Sequence, residues 1–260
     1  MTTTPGIIRA WVAVMAMAIA AGTEAHASSP PARAVSIVLV HGALIDGSTW
    51  RGVYDVLTRD GYRVSMAQPP LTGLDEDVAA TRRLLDQLDG PVVLVGNSYG
   101  GSIITVAGSD PKVKALVYVA ALQPDVGETS AEAAPPRNQA TDALRTSRDG
   151  FVSLDPARFR AELGADLPAA TADFLAHSQM PILGAAFTTR LTVAAWHDKP
   201  SYAIIASEDR ELDPAAAHRM ADRARSKVTV LQGGHLVFVS QPRAVASVIE
   251  TAARAVNLSD

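Results

Sequence analysis

A serine flanked by glycines follows a run of apolar, mostly β-branched residues. Val92-Val93-Leu94-Val95 leads directly into Gly96-Asn97-Ser98-Tyr99-Gly100-Gly101, and a helical pattern follows. Gly-x-Ser-x-Gly between a buried strand and a helix is typical of a tight turn that presents a nucleophilic serine above a sheet. An incidental serine in a glycine-rich turn is one alternative. A dinucleotide-binding loop is another, but it requires Gly-x-Gly-x-x-Gly, which these residues do not spell. We therefore expect Ser98 to be a nucleophile.

A serine hydroxyl needs a base at neutral pH, and the chain has six histidines. His235 follows a short strand pattern and Gly233-Gly234, on a loop that could return to the carboxyl edge of the sheet. In proteins with this serine motif, the three catalytic residues occur along the chain in the order serine, acid, histidine. His235 lies late enough in the sequence to be the third of them. A loop histidine with a purely structural role is the alternative. The other five lie in the presumed leader, the loop after the first strand, the middle of the chain or a predicted helix: His26, His41, His177, His197 and His218.

The acid that orients the histidine should lie between the two, at the end of a strand. Tyr202–Ala206 has a strand pattern, and Ser207-Glu208-Asp209-Arg210 follows it. We assign Asp209 as the residue that orients His235 and stabilises its charged form. Glu208 is the nearest rival, since a shift of one residue in a loop exchanges the two. Asp213 precedes a proline and an alanine run, which indicates a helix cap.

An ester-cleaving serine also needs backbone donors for the oxyanion that forms on the substrate carbonyl. The N–H of Tyr99, directly after the nucleophile, is one expected donor. The second should come from the loop after the first strand, where Val40-His41-Gly42-Ala43-Leu44 ends a buried run in a glycine turn. We assign Ala43 as that donor. His41 is expected to shape this loop, because His235 already fits the role of base.

Six short apolar runs separated by helical patterns must position these residues. Several runs are apolar throughout, as strands buried on both faces are. Strands that alternate with helices form a parallel sheet with helices on both faces. We therefore expect an α/β protein with a mostly parallel, doubly wound sheet of about six strands. The runs are Val35–Val40, Tyr62–Ala67, Val92–Val95, Val113–Val119, Tyr202–Ala206 and Val228–Leu231.

One stretch, residues 123–199, breaks this alternation and is called the inserted segment below. It has no strong strand pattern, its prolines recur and its helical fragments are short. Because a structureless loop of that length is improbable in a compact domain, we expect a helical lid between two strands. Its large apolar residues suggest a small, partly apolar substrate, although ordinary packing within the lid is the explanation we expect for most of them. These residues are Phe151, Phe174, Met180, Phe187 and Trp196.

The N-terminus has the pattern of a secretory signal peptide. Arg9 precedes the short apolar stretch Ala10–Gly22, and Ala25-His26-Ala27 fits a small-x-small cleavage site. A membrane anchor is the alternative, but the stretch is short for the ~20 apolar residues of a spanning helix. We expect residues 1–27 to be removed, residues 28–260 to form the mature domain, and the protein to be exported to the periplasm or beyond.

Composition narrows the chemistry further. The net charge of −4 argues against nucleic-acid binding, for which a basic excess is typical. The absence of cysteine excludes disulfides, thiolate catalysis and cysteine-bound zinc. Phosphate-binding glycine loops and zinc-binding histidine pairs are not found either. We expect no metal or organic cofactor and a small-molecule substrate as the partner; the oligomeric state stays open.

Four motifs in this order resemble the α/β-hydrolase superfamily: Leu39-Val40-His41-Gly42-Ala43, Gly96–Gly101, Ala206–Arg210 and Gly234-His235. More narrowly, the chain from about Val35 to its end resembles small bacterial esterases of the pyrethroid-hydrolase type, related to plant hydroxynitrile lyases and methyl esterases. The resemblance implies a catalytic domain with a helical cap. It also implies catalytic Ser98, Asp209 and His235, with oxyanion donors at Ala43 and Tyr99.

Two positions depart from the lyases of that superfamily. The resemblance implies a lysine directly after the histidine and a threonine in the oxyanion loop, where this chain has Leu236 and Gly42. An apolar Leu236 removes the cation that would stabilise a leaving cyanide, so ester hydrolysis through an acyl-enzyme is favoured. Carbon–carbon cleavage on the same scaffold is one alternative. A non-catalytic ligand-binding protein is another, because a fold does not fix a function.

Overall fold

The structure, a computed structural model, describes residues 35–133 and 143–257. The predicted signal peptide, residues 1–27, lies outside these ranges. Across the described ranges, no helix has the length and apolar character needed to cross a membrane.

A six-stranded parallel sheet forms the centre of the domain. Its strand order is β2-β1-β3-β4-β8-β9, and every neighbouring pair is parallel. Each of the six apolar runs in the sequence forms one of these strands, so the expected parallel sheet of about six strands is confirmed. The strands are β1 (Ser36–Val40), β2 (Arg63–Ala67), β3 (Val92–Ser98), β4 (Val113–Ala121), β8 (Ser201–Ala206) and β9 (Lys227–Leu231).

Helices cover both faces of this sheet. Alternate residues of β1 show the division: Ile37 and Leu39 pack into one core cluster, Val38 and Val40 into the other. The first cluster contains side chains of α1, α8 and α9, and the second contains side chains of α2 and α3. The inner strands are mostly apolar because both of their faces are buried. The helices are α1 (Arg51–Arg59), α2 (Leu74–Asp86), α3 (Gly100–Ala107), α7 (Pro214–Arg223), α8 (Val237–Ser240) and α9 (Pro242–Asn257).

The start of α7 follows the capping rule expected from the sequence. The Asp213 side chain accepts a hydrogen bond from the Ala215 N–H at 3.4 Å, and Pro214 occupies the first helical position. A carboxylate at this position satisfies a backbone donor that has no partner within the helix. Asp213 therefore caps the start of α7, where the loop after β8 ends.

The inserted segment lies between β4 and β8 and contains both helices and strands. The strands form a small antiparallel sheet in the order β5-β6-β7, which the sequence analysis did not predict. Because these strands are two to four residues long, they are too short to produce a recognisable alternation. The described elements are α4 (Ser130–Ala133), β5 (Leu144–Thr146), β6 (Phe151–Leu154), α5 (Pro156–Glu162), α6 (Ala169–His177) and β7 (Ile182–Leu183).

Candidate active site

Ser98 is the last residue of β3, and its backbone is held in a sparsely populated conformation. Its φ is +52°, a value that a non-glycine residue rarely adopts. A Cβ on Gly96 would lie 2.5 Å from the carbonyl oxygen of Gly100, and a Cβ on Gly100 would lie 2.7 Å from that of His41. Both glycines therefore lie where the backbone approaches too closely for a side chain, as expected. Such strain persists only where surrounding contacts fix the turn.

The strand ends of a parallel sheet bring three loops to one edge. Ser98 ends β3, Asp209 follows β8 and His235 follows β9. Because the strands run parallel, all three residues lie at the carboxyl edge, where ligands bind in open α/β sheets. The Glu208 N–H donates to the Gly233 carbonyl at 2.9 Å, which ties the second and third loops together.

Asp209 and His235 form a buried hydrogen-bonded pair. Nδ1 of His235 lies 2.8 Å from Oδ2 of Asp209, and the two residues are 5% and 2% exposed. Because a carboxylate accepts, Nδ1 carries the proton and Nε2 is left to act as a base. The other carboxylate oxygen, Oδ1, accepts from the N–H groups of Glu211 and Leu212, both at 2.9 Å. Both carboxylate oxygens of Asp209 are thus held by hydrogen bonds.

The charge of Asp209 raises the pKa of the His235 imidazole. Burial lowers the pKa of the His235 imidazole, but the charge of Asp209 and its hydrogen bond outweigh burial, so the pKa lies above 6.5. The charge of Glu211 also raises it. The sequence analysis missed Glu211, which follows Asp209 by two residues. Loss of hydration in this loop raises the pKa of the Glu211 carboxyl, although its side chain reaches solvent.

Glu208, the rival acid, has a different environment. It is exposed, and its carboxylate accepts a hydrogen bond from Nε2 of Gln232 at 2.8 Å. Glu208 lies in the turn that directly follows β8, whereas Asp209 lies just beyond that turn and is buried. Glu208 therefore links the loop after β8 to the residue that directly follows β9, at the protein surface.

A carboxylate from the inserted segment holds the backbone just before His235. Oδ2 of Asp166 accepts from the Gly234 N–H at 3.2 Å and from the Ser240 hydroxyl at 2.6 Å. These bonds tie the inserted segment to the loop of His235 and to α8. The sequence analysis missed Asp166, because it lies 68 residues from Gly234 and shares no motif with it.

The loop after β1 packs directly on the turn that carries Ser98. A Cβ on Gly42 would lie 2.7 Å from Cβ of Ser98, so the loop that carries Ala43 approaches Ser98 closely. His41 is fully buried, and its Nδ1 donates to the Gly42 carbonyl at 2.8 Å. Burial lowers the pKa of His41, which keeps its imidazole neutral. His41 shapes this loop, as its position in the sequence predicted.

Tyr99, the other expected oxyanion donor, directly precedes α3. It is the N-cap residue of that helix, and its side chain is fully buried. The free N–H groups at a helix start favour negative charge nearby. The described backbone therefore presents the free N–H groups at the start of α3 close to Ser98. The tightly packed glycine loop after β1 also lies against Ser98.

The five apolar residues proposed for substrate contact are dispersed. Phe151 and Met180 line one open cavity of about 670 Å³, together with Pro70 and Pro181. The Phe187 ring packs against the Tyr99 ring, with 5.2 Å between centroids. The remaining two have other environments: Phe174 is 63% exposed, and Trp196 is buried with its Nε1 donating to the Pro124 carbonyl at 2.9 Å.

Residues 37–248 match the model of the alpha/beta hydrolase family. The alpha/beta hydrolase nvfD of Aspergillus novofumigatus is 29% identical over 244 residues, which cover 84% of this chain and 96% of that protein. A carbendazim hydrolyzing esterase of Nocardioides is 34% identical over 110 residues, covering 36% of this chain and 45% of that protein.

Solved structures share the fold. A pyrethroid hydrolase from Sphingobium faniae superposes with a TM-score of 0.72 at 23% identity, covering 85% of this chain and 98% of that one. The resemblance stated from the four motifs is therefore confirmed. The chain belongs to the alpha/beta hydrolase family and is an enzyme of that type.

Proposed function

We propose that the protein is a serine hydrolase that cleaves small, partly apolar carboxylic esters through an acyl-enzyme. Ser98 is the nucleophile, His235 the base and Asp209 the acid. The observation that carries the proposal is the buried 2.8 Å hydrogen bond between Nδ1 of His235 and Asp209. This bond leaves Nε2 as the proton acceptor, on a loop at the same sheet edge as the strained Ser98.

The reaction follows from these roles. Nε2 of His235 takes the proton of Ser98 as Oγ attacks the ester carbonyl, and the imidazolium is stabilised by Asp209. The backbone N–H groups of Tyr99 and Ala43 bind the oxyanion. His235 then gives the proton to the leaving alcohol, and water repeats the sequence to release the acid. The proposed reaction needs no metal or organic cofactor.

Two observations favour ester hydrolysis over carbon–carbon cleavage. Relatives of this chain include a protein named as an esterase. The residue after His235 is Leu236, which is buried and apolar and so provides no cation for a cyanide leaving group. The buried Asp209–His235 pair also argues against the non-catalytic alternative, because such a pair perturbs a pKa in a way typical of active sites.

We also propose that the enzyme acts outside the cytoplasm after removal of residues 1–27. The charged start, the short apolar stretch and the Ala25-His26-Ala27 site support this proposal. An export route is compatible with a chain that has no cysteine to oxidise.

A panel of chromogenic esters that differ in acyl length tests the proposed function on purified protein. Short, partly apolar esters should be hydrolysed, and Ser98→Ala should lower kcat by ~10³-fold or more because the nucleophile is lost. Ser207→Ala is the matched control, since Ser207 is an exposed serine on the loop after β8. Turnover of the whole panel by Ser98→Ala contradicts the proposal. Absence of turnover by the wild type favours the binding protein.

A further inference from the structure

A buried carboxyl lies behind the nucleophile turn and belongs to none of the catalytic roles above. Asp77, in the first turn of α2, is fully buried. Its Oδ2 accepts a hydrogen bond from the Tyr99 hydroxyl at 2.9 Å, and its Oδ1 accepts from the Leu71 N–H at 2.6 Å. The Thr72 N–H also donates to it. Asp77 therefore joins the residue after the nucleophile to the turn before α2.

This carboxyl is costly to bury. Burial raises the pKa of Asp77 to about 6, although the hydrogen bonds that it accepts from Tyr99, Leu71 and Thr72 lower this pKa. The charge of Glu76 raises it too. Without a cation, a buried carboxyl contributes less to stability than an apolar side chain of similar size would. Such a group is a candidate for a functional role.

Tyr99 is held from two directions. Its hydroxyl is bound by Asp77, and its ring packs against Phe187 of the inserted segment. Leu71, which donates to Asp77, has a φ of +58° and accepts a hydrogen bond from the Leu183 N–H of β7 at 2.8 Å. The inserted segment and α2 therefore meet at Tyr99.

The constraint acts on the backbone beside Ser98. Ser98 has a strained φ, and strain of this kind persists only where the neighbouring residues are fixed. The Tyr99 side chain is anchored at its far end, so the residue has little freedom to rotate about the peptide that joins it to Ser98. That peptide carries the N–H expected to bind the oxyanion.

We propose that Asp77 and the hydroxyl of Tyr99 form a positioning pair that fixes the backbone N–H of Tyr99 toward the oxyanion. The inference rests on the proposed function, because it concerns the transition state of that reaction. The pair touches neither the substrate nor the reacting atoms. It acts by holding the donor in place, and a shift of about 1 Å in such a donor can cost a large factor in rate.

Tyr99→Phe tests the pair, because it removes the hydroxyl and keeps the ring and the backbone N–H. We expect kcat to fall by about tenfold, less than the loss of an oxyanion donor outright, with KM changed by less than about twofold. The affinity for an alkyl boronic acid, which adds Oγ of Ser98 and becomes a tetrahedral anion, should fall by about the same factor as kcat, because both depend on the oxyanion donors.

Tyr118→Phe is the matched control. The Tyr118 hydroxyl is also buried and lies 3.0 Å from Oγ1 of Thr105. Thr105 is in the second half of α3, whereas Tyr99 caps the start of that helix next to Ser98. Removal of the Tyr118 hydroxyl should lower stability in the same way and leave kcat and boronate affinity within about twofold of wild type. A purely structural role for the Tyr99 hydroxyl predicts equal kcat losses in the two variants, which overturns the proposal.

Asp77→Leu and the double variant complete the test. Leucine keeps the branched shape but offers no hydrogen-bond partner to the Tyr99 hydroxyl, so Asp77→Leu should also lower kcat. The double variant should lose no more than the larger single loss, because both changes break one interaction. Additive losses overturn the proposal. Titration with a fluorophosphonate separates the two claims: wild type that does not react contradicts the proposed function, whereas reactive wild type with fully active Tyr99→Phe contradicts the positioning pair alone.

Discussion

At the residue scale, two adjacent carboxylates after β8 have opposite environments, and this difference supports the roles proposed for them. Asp209 is buried against Nδ1 of His235, whereas Glu208 is exposed and bound to Gln232. A carboxylate can orient an imidazole only if it is held toward it. The Asp209 side chain satisfies this requirement, because two backbone N–H groups fix its second oxygen.

The comparison of Asp209→Asn with Glu208→Gln tests this assignment. If Asp209 orients His235, Asp209→Asn should lower kcat by ~10³ to 10⁴-fold, because the amide favours the wrong imidazole tautomer. Glu208→Gln should change kcat little, since its carboxylate binds a surface amide. Both variants preserve side-chain volume, and circular dichroism checks that they fold. A severe loss in Glu208→Gln with near wild-type Asp209→Asn transfers the role to Glu208.

The pH dependence of kcat/KM reports the raised pKa of His235. Burial lowers this pKa, but Asp209 and Glu211 raise it more, so the base becomes protonated and inactive as pH falls through a value above 6.5. Glu211→Gln removes one of the raising charges. We therefore expect the acid limb of the profile to move to lower pH. Glu208→Gln is the control on the same loop and should leave the limb in place; an unmoved limb in Glu211→Gln contradicts the coupling.

At the scale of elements, the turn between β3 and α3 depends on backbone that approaches more closely than side chains allow. Gly96 faces the Gly100 carbonyl, and Gly100 faces the carbonyls of Val40 and His41. The turn that carries Ser98 and the loop after β1 are therefore packed against each other. This packing explains how a serine with positive φ can persist at the end of β3.

Gly96→Ala tests the close approach. The added Cβ would lie 2.5 Å from the Gly100 carbonyl oxygen, so the turn must shift. We expect the free energy of unfolding to fall by ~1–3 kcal/mol and ester turnover to fall with it. Chemical denaturation measures the first and a chromogenic ester the second. Gly184→Ala is the control, because its nearest neighbours are 3.8 and 3.9 Å away and unfolding should change little.

Elements that carry a local sequence pattern, such as an apolar run, could be predicted from the sequence, and elements without such a pattern could not. The four inner strands of the central sheet carry mostly apolar runs because both of their faces are buried, whereas the edge strands β2 and β9 alternate polar and apolar residues. The strands β5, β6 and β7 carry no such run. Asp77 and Asp166 were missed because their partners are distant in sequence, and Glu211 because it lies just beyond the Ala206–Arg210 motif. Their roles arise only when the chain folds.

At the scale of the whole molecule, the sheet divides the core into two apolar layers and leaves its carboxyl edge to the loops. Ser98, Asp209 and His235 each follow a different strand, so the site depends on the register of β3, β8 and β9 within one sheet. Asp166 adds a hydrogen bond from the inserted segment to the His235 loop. The site is therefore distributed over nearly the whole described chain.

Export is a prediction about the whole chain. The signal-peptide pattern predicts a mature N-terminus near Ser28. Terminal sequencing of protein recovered from its native host measures this directly. Expression of a variant with Ala25 and Ala27 replaced by bulky residues should leave the leader attached. Recovery of an intact Met1 from the cytoplasm of the native host contradicts the prediction.

The central claim is that Ser98 is the nucleophile, and peptide mapping after reaction with a fluorophosphonate tests it most directly. Oγ of an activated serine displaces fluoride and keeps the phosphonyl group, so the modified residue identifies the nucleophile. We predict one phosphonyl group per chain, located on Ser98, with ester turnover lost in parallel and no labelling of Ser98→Ala. A label on another serine, or continued ester turnover by fully labelled protein, contradicts the account.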